Sequence, residues 1–330
     1  MAAAMGEVCR ITVQKGVRLL PAAEESTVNE GIHAWSLALQ RKYNMSSVQL
    51  TSQATKLGSN KTTTTDTIVE EAVVASVPAR AVIYSTYQAY LKSTPDRLLH
   101  DLAIASREGF TLGVKLVRGA YLASEPQRRL IWDTKEQTDA AYDIITKALL
   151  QRRVEDLYSL LPRYRKEQTS DPAEEKNEKS STPDDVRIDE KYPDNQSEKN
   201  KWFSFPKVNL LLATHNKQSV LKAQKIQDAN HTQDGSIPRT EVAFAQLQGM
   251  ADELSCGLVA EKGVTPCDES NGSKAHVPWH PKVYKCLAWG TVEQCLTYLL
   301  RRADENKEAA ARTEETKRAM TRELWRRIGI

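Results

Sequence analysis

Six short apolar runs punctuate this chain, and helical periodicity flanks each of them. They are Val17–Ala23 (VRLLPAA), Ala81–Tyr87 (AVIYSTY), Leu112–Val117 (LGVKLV), Val208–Thr214 (VNLLLAT), Glu241–Leu247 (EVAFAQL) and Val283–Trp289 (VYKCLAW). Runs of this length, apolar without strict alternation, fit strands buried on both faces. Between them, Asp96–Glu108, Lys135–Leu150 and Ser219–Ala229 read as helices, and a long final helix is expected from about Thr291, with Leu296, Leu299 and Leu300 on its apolar stripe. Strands alternating with helices imply parallel pairing through right-handed crossovers. Two architectures satisfy this pattern, an open doubly wound sheet and a (β/α)8 barrel. No G-x-G-x-x-G follows any strand, which weighs against the dinucleotide-binding version of the first.

The remaining composition bounds the function class. At 330 residues, 40% of them apolar, the chain has material for a sizeable core. A net charge of +3, without aromatics interleaved among basic residues, argues against a nucleic-acid partner. No apolar run approaches the ~20 residues that span a bilayer. Cys9, Cys256, Cys267, Cys286 and Cys295 show no metal-ligand spacing and read as free thiols. The first residues, MAAAMGEVCR, carry no apolar signal-peptide core and little of the Arg/Ser richness of a transit peptide. Ser46–Thr67, Glu167–Lys201 and Pro266–His280 are polar, and the second is expected to be disordered. They read as surface insertions in a single domain covering 1–330.

In parallel α/β proteins function gathers at the C-terminal ends of strands. Those ends supply Gln88; then Lys115, Arg118, Gly119, Ala120 and Tyr121 in KLVRGAY; then Thr214, His215 and Asn216; then Leu247 in QLQGM. The final helix adds Tyr298, Arg301, Arg302 and Glu305, spaced so that Tyr298, one or other arginine and Glu305 share a face. Adjacent arginines suit a planar carboxylate, since a guanidinium grips both oxygens; they also fit a solvated pair bordering the apolar stripe. His215 alone reads first as a satisfied or surface histidine, and Lys115 as a cation that snorkels or pairs with an acid. The glycine after Arg118 permits a tight turn or the close approach of a bulky ligand.

Taken together and in order, KLVRGAY, TYQAYLKSTP, LATHN, QLQGM and YLLRRADEN resemble the proline dehydrogenase (proline oxidase) family, most nearly its fungal mitochondrial members, from about Lys15 to the C-terminus. The resemblance implies a distorted (β/α)8 barrel, here lacking N-terminal strands. It also implies non-covalent FAD, and oxidation of L-proline to 1-pyrroline-5-carboxylate by hydride transfer from proline C5 to flavin N5. Electrons would pass to ubiquinone at the inner mitochondrial membrane. By position, Arg301 and Arg302 would hold the proline carboxylate, Tyr298 would pack over the ring, Leu247 would close an apolar wall, and Glu305 would help hold FAD. Gln88, Lys115, Arg118, Gly119, Ala120 and Tyr121 would line isoalloxazine and pyrophosphate, and Thr214, His215, Asn216, Lys135 and Thr138 the rest of the cofactor.

Three departures bear on the substrate side. Ala22 stands where the family carries the aspartate of a DAE motif, and Cys286 where it carries a substrate-contacting tyrosine. An upstream lysine-bearing strand is absent. Losing that lysine and aspartate together leaves neither charge unpaired. Two readings follow: a working proline dehydrogenase in a shortened form, or a degenerate paralogue that binds flavin with little catalysis. Hydroxyproline is an alternative substrate for the same chemistry, and an unrelated barrel enzyme for another small carboxylate or amine is a third reading.

Overall fold

A computed structural model describes residues 2–45, 80–121, 125–161, 204–232, 240–260, 281–305 and 310–328. The insertions expected at 46–67, 167–201 and 266–280 lie outside them. In chain order the elements are helices α1 (Ala2–Gln14) and α2 (Ser26–Tyr43), strand β1 (Ser85–Gln88), α3 (Thr94–Glu108), β2 (Leu112–Val117), α4 (Lys135–Gln151), the short α5 (Glu155–Tyr158), β3 (Val208–Ala213), α6 (Lys217–Thr232), β4 (Glu241–Leu247), α7 (Asp252–Ala260), β5 (Lys282–Cys286), α8 (Val292–Glu305) and α9 (Ala310–Ile328).

The sheet order is β1-β2-β3-β4-β5, every neighbouring pair parallel. Spatial order equals chain order, so no reversal of winding occurs, and a doubly wound sheet is excluded because its order reverses at a switch point. The sheet also curls. Arg18, beside β1, reaches the Glu241 carboxylate at the start of β4 at 3.2 Å. Four strand spacings would separate those positions by about 19 Å in a flat sheet. Tyr84, Leu211 and Ala243 likewise meet in one small cluster on the concave face.

Side-chain parity sorts the strands. Val114, Leu116, Leu210, Leu212, Val242 and Phe244 point outward into the main core, against Leu98 and Leu102 of α3, Ile145 and Leu149 of α4 and Val220 of α6. The concave face is smaller and more polar. Lys115 pairs in register with Thr86 and Leu211, and Leu211 with Ala243, which places the lysine on that inner row. The apolar run of β2 thus tolerates a lysine, because only one of its faces enters the main core. Gly113 has its own cause: a Cβ there would lie 2.3 Å from the Ile83 carbonyl oxygen, in the segment just ahead of β1.

Three expected strands are well short of their apolar runs; the last of them, Val283–Trp289, is strand only to Cys286. Val17–Ala23 pairs with its neighbour at one bridge, Leu19 with Ile83. Pro21 has no N–H to continue a ladder. Inward side chains take over: Thr86 Oγ1 donates to the Pro21 carbonyl (2.7 Å) and Gln88 Nε2 to the Glu24 carbonyl (2.9 Å). Ala81–Tyr87 becomes strand only from Ser85, because asparagine side chains intercept the earlier amides. Asn209 Oδ1 accepts from Ala81 (2.6 Å), and Asn44 Oδ1 accepts from Val82 and Ile83 (both 2.9 Å). The expected final helix is described in two parts, α8 and α9, and its apolar stripe is open in α8, with Leu296, Leu299 and Leu300 at 54%, 53% and 62% exposure. No described helix is long and apolar enough to cross a membrane.

Candidate functional site

The C-terminal ends of the strands form two stations, and the two cations of KLVRGAY belong to different ones. Lys115 and Arg118 are three residues apart, an odd separation along an extended chain, so they leave opposite faces.

Arg118 points outward, between the N-termini of α4 and α6. Its Nε donates to Asp139 Oδ1 (2.5 Å), one η nitrogen to Thr214 Oγ1 (2.6 Å) and the other to Ser219 Oγ (2.8 Å), with the Tyr142 ring 4.3 Å away across its plane. Three of five guanidinium N–H groups are thereby committed within the fold, and one remains on each η nitrogen. Lys135, at the first residue of α4, donates to the other Asp139 oxygen (2.5 Å). Burial pulls the Asp139 carboxyl upward, but the hydrogen bonds from Lys135 and Arg118 outweigh it and hold the group below its ordinary pKa. Asn216 caps α6, its Oδ1 accepting from the Ser219 amide (3.1 Å), and Thr214 Oγ1 accepts from the Asn216 amide (3.1 Å). Helix α4 is capped by Thr134 and Gln137 acting reciprocally, with the Thr138 hydroxyl on the Thr134 carbonyl (3.4 Å). Two helix N-termini, an arginine and a lysine form a donor set suited to a phosphate.

The second station lies at the concave mouth. Lys115 reaches it from β2, Cys286 from the end of β5, and Tyr298 and Arg302 from α8. The Cys286 thiol is 3.9 Å from the Tyr298 hydroxyl, and the Arg302 guanidinium lies 5.5 Å from the Tyr298 ring centroid. Burial pushes the Lys115 ammonium below its ordinary pKa, the nearby positive charge of Arg302 pushes the same way, and Cys286 acts oppositely. Arg301 and Glu305 occupy α8, but their side chains lie outside the described residues.

The other expected residues join the two stations. His215 Nε2 accepts from the Leu247 amide (3.0 Å), tying the ends of β3 and β4, which requires the neutral ring to carry its proton on Nδ1. Gly119 has φ 130°, and a Cβ there would fall 2.1 Å from Cδ1 of Tyr90. Ala120 follows it half-buried, and Tyr121 donates its hydroxyl to Glu24 Oε2 (2.5 Å). Ala22 is exposed, whereas Glu24, from the same PAAE stretch, makes the contacts. A cavity of about 300 Å³ opens between the N-termini of α2 and α3, with Ser26, Gln88, Thr94 and Arg97 in its lining and none of the mouth residues. Among the described residues no cluster is suited to a metal ion. Sequence reasoning missed Glu24, Glu125 and Asp139; only Glu24 had a local signal, being the acid of PAAE.

The proline dehydrogenase family model matches residues 3–315. The chain belongs to the proline dehydrogenase family. The match begins ahead of Lys15, where the motif resemblance starts, and takes in the five strands of the described residues. A probable mitochondrial proline dehydrogenase of Schizosaccharomyces pombe is 26% identical over 325 residues, covering 98% of this chain and 49% of that protein. A hydroxyproline dehydrogenase of Bos taurus is 28% identical over 246 residues, covering 74% of this chain and 40% of that protein. The chain thus spans about half, or less, of the curated relatives' length. Among solved structures, a proline utilization A protein of Bdellovibrio bacteriovorus, inactivated by N-propargylglycine, superposes with a TM-score of 0.52 at 16% identity, covering 91% of this chain and 21% of that one. That likeness supports the α/β fold with its parallel sheet.

Proposed function

We propose that this proline dehydrogenase family chain is part of a distorted (β/α)8 barrel that holds FAD and oxidises L-proline to 1-pyrroline-5-carboxylate. The observation that carries the reading is the meeting of Arg302, Tyr298 and Lys115 at the mouth of a curled parallel sheet, next to a separate phosphate-suited station. The donor set fits the cofactor's charges: Arg118, Lys135 and the two helix N-termini would hold the pyrophosphate, with Thr138, Thr214, His215 and Asn216 around it. Gln88 and the Gly119–Tyr121 turn would line the flavin ring. FAD, when bound, supplies the acceptor for the hydride that leaves proline C5. Arg302, with Arg301, would grip the proline carboxylate, and Tyr298 would cover the ring, fixing which carbon faces the acceptor. Lys115 would add a fixed cation where negative charge accumulates. Leu247 would wall the apolar side, and Glu305 would add a further cofactor contact. The names of the relatives support a mitochondrial location; ubiquinone at the inner-membrane surface would be the electron acceptor.

Cys286 favours a second reading of the same chemistry. A cysteine beside Tyr298 is smaller than the tyrosine that the family pattern places there, and would leave room for the hydroxyl of a ring such as hydroxyproline. The degenerate, flavin-binding paralogue remains the competing account, because both Ala22 and Cys286 fall on the substrate side. One experiment separates them. The protein is reconstituted with FAD, and L-proline or hydroxyproline is added without oxygen. Bleaching of the oxidised-flavin absorbance by either imino acid supports catalysis; a flavoprotein that neither bleaches supports the paralogue; a folded protein that retains no FAD defeats the reading.

A further inference from the structure

The Gly119–Tyr121 turn rests on a buried polar network outside both stations. The Tyr90 ring lies directly under Gly119, and the Tyr90 amide donates to the Arg118 carbonyl (2.8 Å). The Tyr90 hydroxyl donates to Glu125 Oε2 (3.2 Å). Glu125 is only 4% exposed. Its carboxylate also accepts from the Ser26 amide (3.2 Å) and the Ser26 hydroxyl, and its own amide donates to the Tyr121 carbonyl (2.8 Å). Its side chain is thereby fixed to the first turn of α2, satisfying an N–H that helix geometry leaves open. Its main chain is fixed to the turn itself.

A carboxylate this buried persists only when donors replace its water. Burial draws the Glu125 carboxyl upward, but the Ser26 and Tyr90 donors outweigh that and hold it below its ordinary pKa. Burial first, then the Glu125 charge, raises the Tyr90 phenol, which keeps it a donor. Tyr121 repeats the pairing in the opposite sense, donating to Glu24 two residues ahead of Ser26. The turn is therefore tied to segment 24–26 twice, directly by Tyr121 on Glu24 and through Glu125, whose amide holds the Tyr121 carbonyl while its carboxylate holds Ser26.

We propose that Glu125 is a positioning residue for the cofactor: it fixes the Gly119–Tyr121 turn, and so the surface that turn presents to the flavin, by holding Ser26 and Tyr90 together. This rests on the flavin reading above. The test uses the full chain with Glu125→Ala, Glu125→Gln and Tyr90→Phe, reading the FAD dissociation constant and, without cofactor, amide hydrogen exchange at Gly119–Tyr121 and in β2. Losing a buried charged acceptor makes Glu125→Ala bind FAD about tenfold or more weakly. Glu125→Gln, which can still accept from Ser26, recovers part of that, and Tyr90→Phe loses less than Glu125→Ala. Exchange rises at the turn while β2 is unchanged. An unaltered FAD constant in Glu125→Ala, or exchange rising equally in β2, overturns the proposal. If Glu125→Ala does not fold, Tyr90→Phe decides, and unaltered FAD affinity there overturns it. A parent chain that binds no FAD at all brings down the flavin reading itself, and is distinguished by the absence of any constant to compare.

Discussion

The β2–β3 side of the molecule and the β5–α8 side are built differently. Around β2 and β3, polar groups are sunk in packing and partnered: Arg118 by three acceptors, Asn209 by Glu241, and Asp101 by His33, His100 and Tyr87. Around β5 and α8, large apolar groups stand in the open, with Trp289 at 96%, Val292 at 85% and Leu287 at 64% exposure. The station suited to phosphate draws on the first side, and the mouth station takes Cys286, Tyr298 and Arg302 from the second. Cofactor retention is therefore expected to survive changes that abolish substrate handling, and the reverse is not expected.

The sharpest break of this comparison is in the core. Phe244→Ala removes a fully buried ring from the main cluster and is expected to cost about 3–5 kcal/mol in urea unfolding. A loss below ~1 kcal/mol would mean that the β2–β4 side is not the packed half.

Next in size is an acid limb. Burial alone would raise the Asp101 carboxyl, but the hydrogen bonds from His100, His33 (2.6 Å) and Tyr87 (2.6 Å) hold it at about 2. Its folded pKa is thus depressed from an unfolded value near 3.9. The stabilisation is complete above the unfolded value and disappears as pH falls through about 2, a contribution of roughly 2–3 kcal/mol. Asp101→Asn is expected to lower stability at neutral pH and to flatten this limb. Identical pH dependence in the variant would deny Asp101 its role.

Smaller in energy, but aimed at the boundary between the halves, is Arg302→Met. The apparent affinity for L-proline is expected to fall about tenfold while FAD content stays at the parent's level. Loss of FAD together with proline binding would join the two stations into one. The smallest effect is assigned to Trp289→Ala, expected within about 0.5 kcal/mol by the same urea measurement. A larger cost would show that the β5–α8 side is more tightly held than its exposure implies.

Much of the sheet was legible in the sequence. LGVKLV and EVAFAQL are strands from their first residue to their last, because alternate residues of each, Val114 and Leu116, Val242 and Phe244, enter the main core. The separation of Lys115 from Arg118 was also open to counting, since three residues along a strand reverse the face. Asp139 and Glu125 were not legible. Asp139 finds Arg118 across 21 residues, and Glu125 finds Ser26 across 99. No local pattern distinguishes either acid from a solvated one. The shortening of Ala81–Tyr87 was hidden for the same reason, since it depends on Asn44 and Asn209 arriving from elsewhere, whereas Pro21 stands within Val17–Ala23 itself.

By itself the sequence determined the alternation of strand and helix, the parallel pairing it entails, and the residue types gathered at the strand ends, because periodicity and composition act over a few residues at a time. Tertiary structure alone decided that the sheet curls, that Arg118 is braced away from the mouth that Lys115 enters, and that α8 leaves its leucines exposed. Each of those outcomes depends on which distant group arrives to accept a hydrogen bond or cover a surface, and chain proximity carries no record of that.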